Sequence, residues 1–118
     1  MRSHYRDIPA YITKDGSTIR ELMHPDQHGG RNQSLAEATI PPGAKTLLHR
    51  HIETEEIYHI TAGSGLMTLG EEHFNVEKGD SVLIPPGTAH CIENTGNEML
   101  TILCCCAPAY RHEDTEML

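Results

Sequence analysis

No apolar stretch in this chain approaches the roughly 20 residues of a membrane-spanning helix. There is also no run of lysine or arginine, no CxxC pair, no internal repeat and no low-complexity segment. Each absence removes a class. Without an apolar span, no membrane partner is expected. With 9 Lys+Arg against 17 Asp+Glu, the formal net charge of -8 repels phosphate backbones, so no nucleic-acid partner is expected either. The first residues, MRSHYRDIPAYI, lack an apolar signal core, so no secretory signal is expected and the expected compartment is the cytoplasm. Without a CxxC there is no pattern for a zinc knuckle or a redox dithiol. Cys91, Cys104, Cys105 and Cys106 are even in number, but three are consecutive and neighbours on a strand point to opposite faces. The expectation is buried reduced thiols rather than disulfides.

Helical periodicity is missing as well. What recurs is short alternating or apolar runs broken by Gly, Pro and Asn, the pattern of an all-β protein. At 118 residues this is one domain, small enough that a dimer interface would add to its core. Strands are expected at Thr18–Met23, Ser34–Ile40, Lys45–His51, Glu56–Thr61, Gly65–Leu69, His73–Val76, Asp80–Ile84, Ala89–Glu93 and Met99–Cys105. The polar, Gly-rich stretch His24 to Gln33 reads as a loop. The charged tail, Arg111 to Leu118, reads as a short helix or a frayed end. Pro85-Pro86-Gly87 marks a corner, since proline cannot donate to a sheet ladder.

On this strand pattern, His49 and His51 share a face and Arg50 takes the other. Glu56, Tyr58 and Ile60 share a face on the next strand, with Ile57 and His59 opposite. His90 comes from a strand far along the chain. Three imidazoles and a carboxylate form a divalent transition-metal ligand set, and ligand type alone does not choose among Mn, Fe, Co, Ni, Cu and Zn. Tyr58 faces the same way as Glu56 and is the candidate catalytic residue, able to hydrogen-bond a substrate. Met67, Leu69 and Ile92 are expected to fill the barrel wall, and Cys104 and Cys106 to share one strand face in the core. His24 and His28 lie in a loop that could cover the barrel mouth. No Lys or Arg cluster is aimed at the metal residues.

Spacing adds to this set. One block reads Gly43, five residues, His49-Arg50-His51, four residues, Glu56, six residues, Gly63. A second reads Gly79, five residues, Pro85-Pro86-Gly87, two residues, His90, three residues, Asn94, with fifteen residues, Ser64 to Lys78, between the blocks. This pattern resembles the two motifs of the cupin family. Every motif position is occupied, and Glu56 rather than Glu55 keeps six residues before Gly63.

The resemblance implies an all-β cupin jelly-roll (double-stranded β-helix) barrel of six to eight strands, holding one metal ion on His49, His51, Glu56 and His90. It implies that residues 1–33 contribute edge strands to a dimer interface, that 34–110 form the barrel, and that 111–118 are a charged tail. Asn94 is expected to hold a turn. Cupins include isomerases, dioxygenases, decarboxylases, binders and storage proteins, so fold does not choose the activity. The expected function is a metalloenzyme acting on a small polar molecule by dioxygenase- or sugar/sugar-acid isomerase-like chemistry, in a homodimer. The alternative is a non-catalytic binding or sensing module.

Overall fold

The computed structural model describes residues 1–118. It contains β1 (Tyr11–Ile12), β2 (Thr18–Met23), α1 (Pro25–His28), β3 (Ser34–Ile40), β4 (His49–His51), β5 (Glu55–Ala62) and β6 (Ser64–Leu69). These are followed by β7 (Glu72–Glu77), β8 (Ser81–Ile84), β9 (His90–Asn94), β10 (Leu100–Ala107) and β11 (Thr115–Met117). The strands form two antiparallel sheets, ordered β1-β2-β3-β10-β5-β8 and β11-β4-β9-β6-β7. All nine expected strands are present, and the chain is all-β, as expected.

Period-2 alternation builds the core. On β3, Ala36, Ala38 and Ile40 are buried while Leu35, Glu37 and Thr39 are only partly covered. On β5, Glu56, Tyr58 and Ile60 turn inward and Glu55, Ile57 and His59 outward. Ala36, Ala38, Ile40, Tyr58 and Ile60 form one cluster with Met67, Ile84, Ile92, Leu100 and Ile102. Burial of each large aliphatic side chain contributes about 1.5–3 kcal/mol. Met67 and Ile92 are in the wall as expected, and Leu69 packs against it partly buried.

Three local expectations differ from the structure, each for a hydrogen-bonding reason. The His24–Gln33 loop contains the four-residue helix α1. His24 caps it by accepting from Asp26 N–H, Pro25 opens it, and Gly29 closes it at φ 83°. The strand expected over Lys45–His51 is regular only from His49. Ahead of it, Leu47 N–H donates to the Asp15 carbonyl (2.8 Å), so its backbone serves the β1–β2 turn instead of a ladder. The tail forms a single 3-10 turn, His112–Asp114, and then β11, which pairs with β4. Without β11, β4 would be an open edge, which sheets tend to cover. The Asp114 carboxylate anchors the tail by accepting from Glu53 N–H (2.9 Å) and Thr54 N–H (3.1 Å).

The motif turn residues act through backbone geometry. Gly63 has φ 84°, and an added Cβ would meet Met99 O at 2.8 Å, so no other residue fits this close crossing. Gly87, at φ 77°, donates its N–H to the His51 carbonyl (2.6 Å) and ties the Pro85-Pro86 corner to β4. Asn94, only 1% exposed, donates from Nδ2 to Ile40 O and Glu98 O and accepts from Gly96 N–H. It holds a turn, as expected.

Candidate metal centre

Sheet pairing brings the distant histidines together. His49 on β4 and His90 on β9 are direct cross-strand partners, with ring centroids 4.2 Å apart. His51, two residues along β4, faces the same way. One ligand atom from each of the three imidazoles lies within 4.8 Å of the others. The opposite sheet supplies Glu56, whose Oε1 is 3.2 Å from His51 Nε2 and 3.5 Å from His90 Nε2. Glu55 points outward and is exposed.

The outer ring nitrogens decide what the inner ones can do. His49 Nδ1–H donates to Leu47 O (2.8 Å) and His90 Nδ1–H to Thr88 O (2.9 Å). A carbonyl can only accept, so in the neutral ring Nε2 carries the lone pair. For His51 the partner is Thr115 Oγ1 at 3.1 Å. That hydroxyl already donates its one proton to Arg111 O, so it too must accept from Nδ1–H. Three Nε2 lone pairs are therefore turned toward one buried space, the outer support that metal-binding histidines commonly have.

The inner atoms lack partners of their own. Glu56 Oε1 and His90 Nε2 are buried without an aligned hydrogen bond, which is costly unless a cation or proton lies between them. The other Glu56 oxygen, Oε2, accepts from the Cys106 thiol (3.4 Å). Burial raises the pKa of that thiol, so it remains a donor. Burial also opposes ionisation of Glu56, but His51 and His90, when they carry a proton on Nε2 in place of a metal, outweigh it and hold the carboxyl at about 2. Burial and the neighbouring His90 lower the pKa of His49, favouring its neutral, ligating form. The residues fit a divalent ion: three imidazoles whose ligand atoms lie within 4.8 Å of one another, the Glu56 carboxylate beside two of them, and two orphaned atoms among the four residues.

The ligand set opens on a cavity whose unfilled space is about 40 Å³, room for a few water-sized atoms at about 10–15 Å³ each. Tyr58 lines it, 5% exposed, with its ring 6.0 Å from that of His90. Burial pushes the Tyr58 phenol well above its ordinary pKa and keeps it neutral. Cys104 and Cys106 also line the cavity. They are buried, as expected of core thiols, but face the site as well as the core; Cys105 is exposed, and no disulfide forms. His24 and His28 do not reach the metal residues. His24 Nε2–H donates to Tyr110 O (2.7 Å), and His28 Nδ1 accepts from His24 N–H. His24 instead lines a shallower basin of about 230 Å³. Glu21 and Tyr110 line both spaces.

Sequence reasoning missed Asp15, Tyr110 and Thr115, which line the cavity together with Glu21. For Asp15 there was a usable signal. Asp15-Gly16 between two β-like stretches is a hairpin turn pattern, and Gly16 has φ 91°. For Thr115 there was none, because its role depends on pairing with His51 on β4.

The Cupin domain family profile matches residues 36–106. The chain is 59% identical to the uncharacterized protein MJ1618 of Methanocaldococcus jannaschii over 118 residues, spanning 100% of this chain and 94% of that one. It is 33% identical to an oxalate-binding protein of Thermotoga maritima over 84 residues, which cover 71% of this chain and 65% of the relative. Among solved structures, a predicted oxalate decarboxylase from Thermotoga maritima superposes with a TM-score of 0.79 at 26% identity, covering 92% of this chain and 99% of that one.

Proposed function

From the premise that this chain belongs to the cupin family, we propose that it is a metal-dependent enzyme acting on a small polar molecule. His49, His51, Glu56 and His90 would hold one divalent transition-metal ion. The observation that carries this reading is the clustering of three imidazoles, each set by an outer Nδ1 hydrogen bond, with the orphaned oxygen of Glu56 beside His51 and His90. A bound ion would polarise a carbonyl or carboxylate, or bind O2, which suits dioxygenase- or sugar/sugar-acid isomerase-like chemistry.

The chain's own residues set what reaches the ion. A space of about 40 Å³ selects a small ligand. Tyr58, a neutral phenol on the cavity wall, is the proposed hydrogen-bonding catalytic residue. Apolar Ile19, Ala36 and Ala38 limit water on one side. One observation favours a second reading, a binding module: the similarity to an oxalate-binding protein. A cytoplasmic homodimer completes the proposal. The outward cross-strand pair Ile57 and Leu83, 41% and 54% exposed, is an apolar patch that a second copy would cover. Sedimentation as a monomer at micromolar concentration would remove the dimer. No helix is long and apolar enough to cross a membrane.

The decisive test is elemental analysis of protein purified without added metal, beside His51→Ala. About one equivalent of metal is expected in the wild type, with most of it lost in a folded variant. Bound iron would direct assays to O2 consumption; manganese or nickel would direct them to isomerase, lyase and dioxygenase panels. Full metal retention by His51→Ala would overturn the site, and turnover of none of these substrates by loaded protein would favour the binding module.

A further inference from the structure

We infer that Cys106, on β10, is a positioning residue for the metal: its thiol holds one oxygen of Glu56, so that the carboxylate meets the ion through the other oxygen alone. The inference rests on the four-residue metal reading above. It makes the thiol the group that keeps a coordination position open for a ligand.

The two oxygens of Glu56 are used unequally. Oε1 lies 3.2 Å from His51 Nε2 and 3.5 Å from His90 Nε2, and it has no aligned hydrogen bond. Oε2 lies 3.4 Å from Cys106 Sγ. An ionised carboxylate can only accept, so the proton between them is the thiol's. With that bond made, Oε2 is tied to β10, and Oε1 alone is left for a cation beside the imidazoles.

Sheet register puts the thiol in place. Cys106 is the direct cross-strand partner of Glu56 on β5 and of Ser34 on β3. All three side chains are buried, so water does not compete for their hydrogen bonds. Ser34 Oγ accepts from Tyr110 N–H (2.9 Å). That leaves the serine its own proton to give to the Cys106 sulfur beside it. The row therefore runs in one direction, from Tyr110 N–H to Ser34, from Ser34 to Cys106, and from Cys106 to Glu56. The inward residues of β10 are Leu100, Ile102, Cys104 and Cys106. Were the branched aliphatic pattern of Leu100 and Ile102 carried on to position 106, Oε2 would have no donor and would be free to turn to the ion. On an octahedral ion, three imidazoles and one carboxylate oxygen leave two positions, whereas a Glu56 bound through both oxygens would leave one. The thiol thus preserves room for two ligand atoms.

The probe is Mn2+ alone, titrated into the metal-stripped full chain. The paramagnetic resonance signal of free Mn2+ shows binding, and electron–nuclear double resonance in 17O water counts the waters on the bound ion. The expected count is two in the wild type, one in Cys106→Ala, and two again in Cys106→Ser, which keeps a proton donor for Oε2. The infrared S–H band of Cys106, assigned by its loss in Cys106→Ser, is expected to shift when Mn2+ is added, because the carboxylate that accepts from it then shares its charge with the ion. One water in the wild type, or two in a folded Cys106→Ala, would overturn the Cys106 assignment and leave the four-residue site standing. Absence of Mn2+ binding by the wild type would overturn both. If Cys106→Ala does not fold, the S–H band decides, and a band unmoved by Mn2+ would overturn the assignment.

Discussion

Glu56 and Glu21 are buried carboxylates on two strands of one sheet, and both line the same cavity. Their surroundings push them in opposite directions. Glu56 sits beside His51 and His90, which overcome burial when they carry a proton on Nε2 and hold it at about 2. Glu21 has burial as its main influence and is raised, although the Tyr11 hydroxyl donates to its Oε1 (3.0 Å) and His24 and His28 lie nearby. Its Oε2 is buried without a partner. The same side chain is pulled toward its anion beside His51 and His90, and pushed the other way where burial is the largest influence. Position relative to the three imidazoles, not residue type, separates the proposed ligand from a wall group.

Metal affinity gives the largest expected contrast. Glu56→Gln should weaken Mn2+ binding by about 10–100-fold, and Glu21→Gln should leave it within about twofold. Isothermal titration of metal-stripped protein reads both; equal losses would erase the distinction between the two carboxylates. A smaller effect is expected at the outer hydrogen bond of His51. Thr115→Val removes the acceptor for His51 Nδ1–H and should cost about tenfold in Mn2+ affinity. His59→Ala, at an exposed position on the outer face of β5, is the control expected to change nothing.

The smallest effects concern stability against pH in metal-free protein, and here the two carboxylates have opposite signs. A carboxyl with a lowered folded pKa contributes stability above its unfolded value, near 4.5, and loses it as pH falls through its folded value. Glu56→Gln should therefore lower Tm relative to wild type at pH 5, and the difference should close as pH approaches 2. A carboxyl with a raised folded pKa contributes fully below 4.5 and loses its contribution as pH rises through the folded value. Glu21→Gln should gain on the wild type between pH 4.5 and 7. Thermal melts from about pH 2 to 7 would refute the comparison if both differences ran the same way with pH.

Much of the candidate metal centre was legible before any fold was known. Alternation along β4 and β5 puts His49, His51, Glu56 and Tyr58 inward and Arg50 and Glu55 outward, because side chains on a strand alternate faces. The motif spacing adds His90 and the turn residues around it. Other cavity groups were not legible. Asp15 and Thr115 lie outside the motif blocks, and their roles arise from contacts between distant segments. Thr115 meets His51 across 64 positions, and the Asp15 carbonyl meets Leu47 on the approach to β4.

The tail shows the same limit. Its charged residues are as compatible with solvent as with a strand, and only the open edge of β4 and the two N–H donors that meet Asp114 bring it into the sheet. The linear order of residues dictates which face each strand side chain takes, since that depends on a local two-residue period. Tertiary structure decides which carboxylates meet the imidazoles, which histidine ring nitrogen is free, and which end of the chain closes the cavity. Those outcomes require groups far apart in the chain to satisfy each other's hydrogen bonds and charge in one buried space.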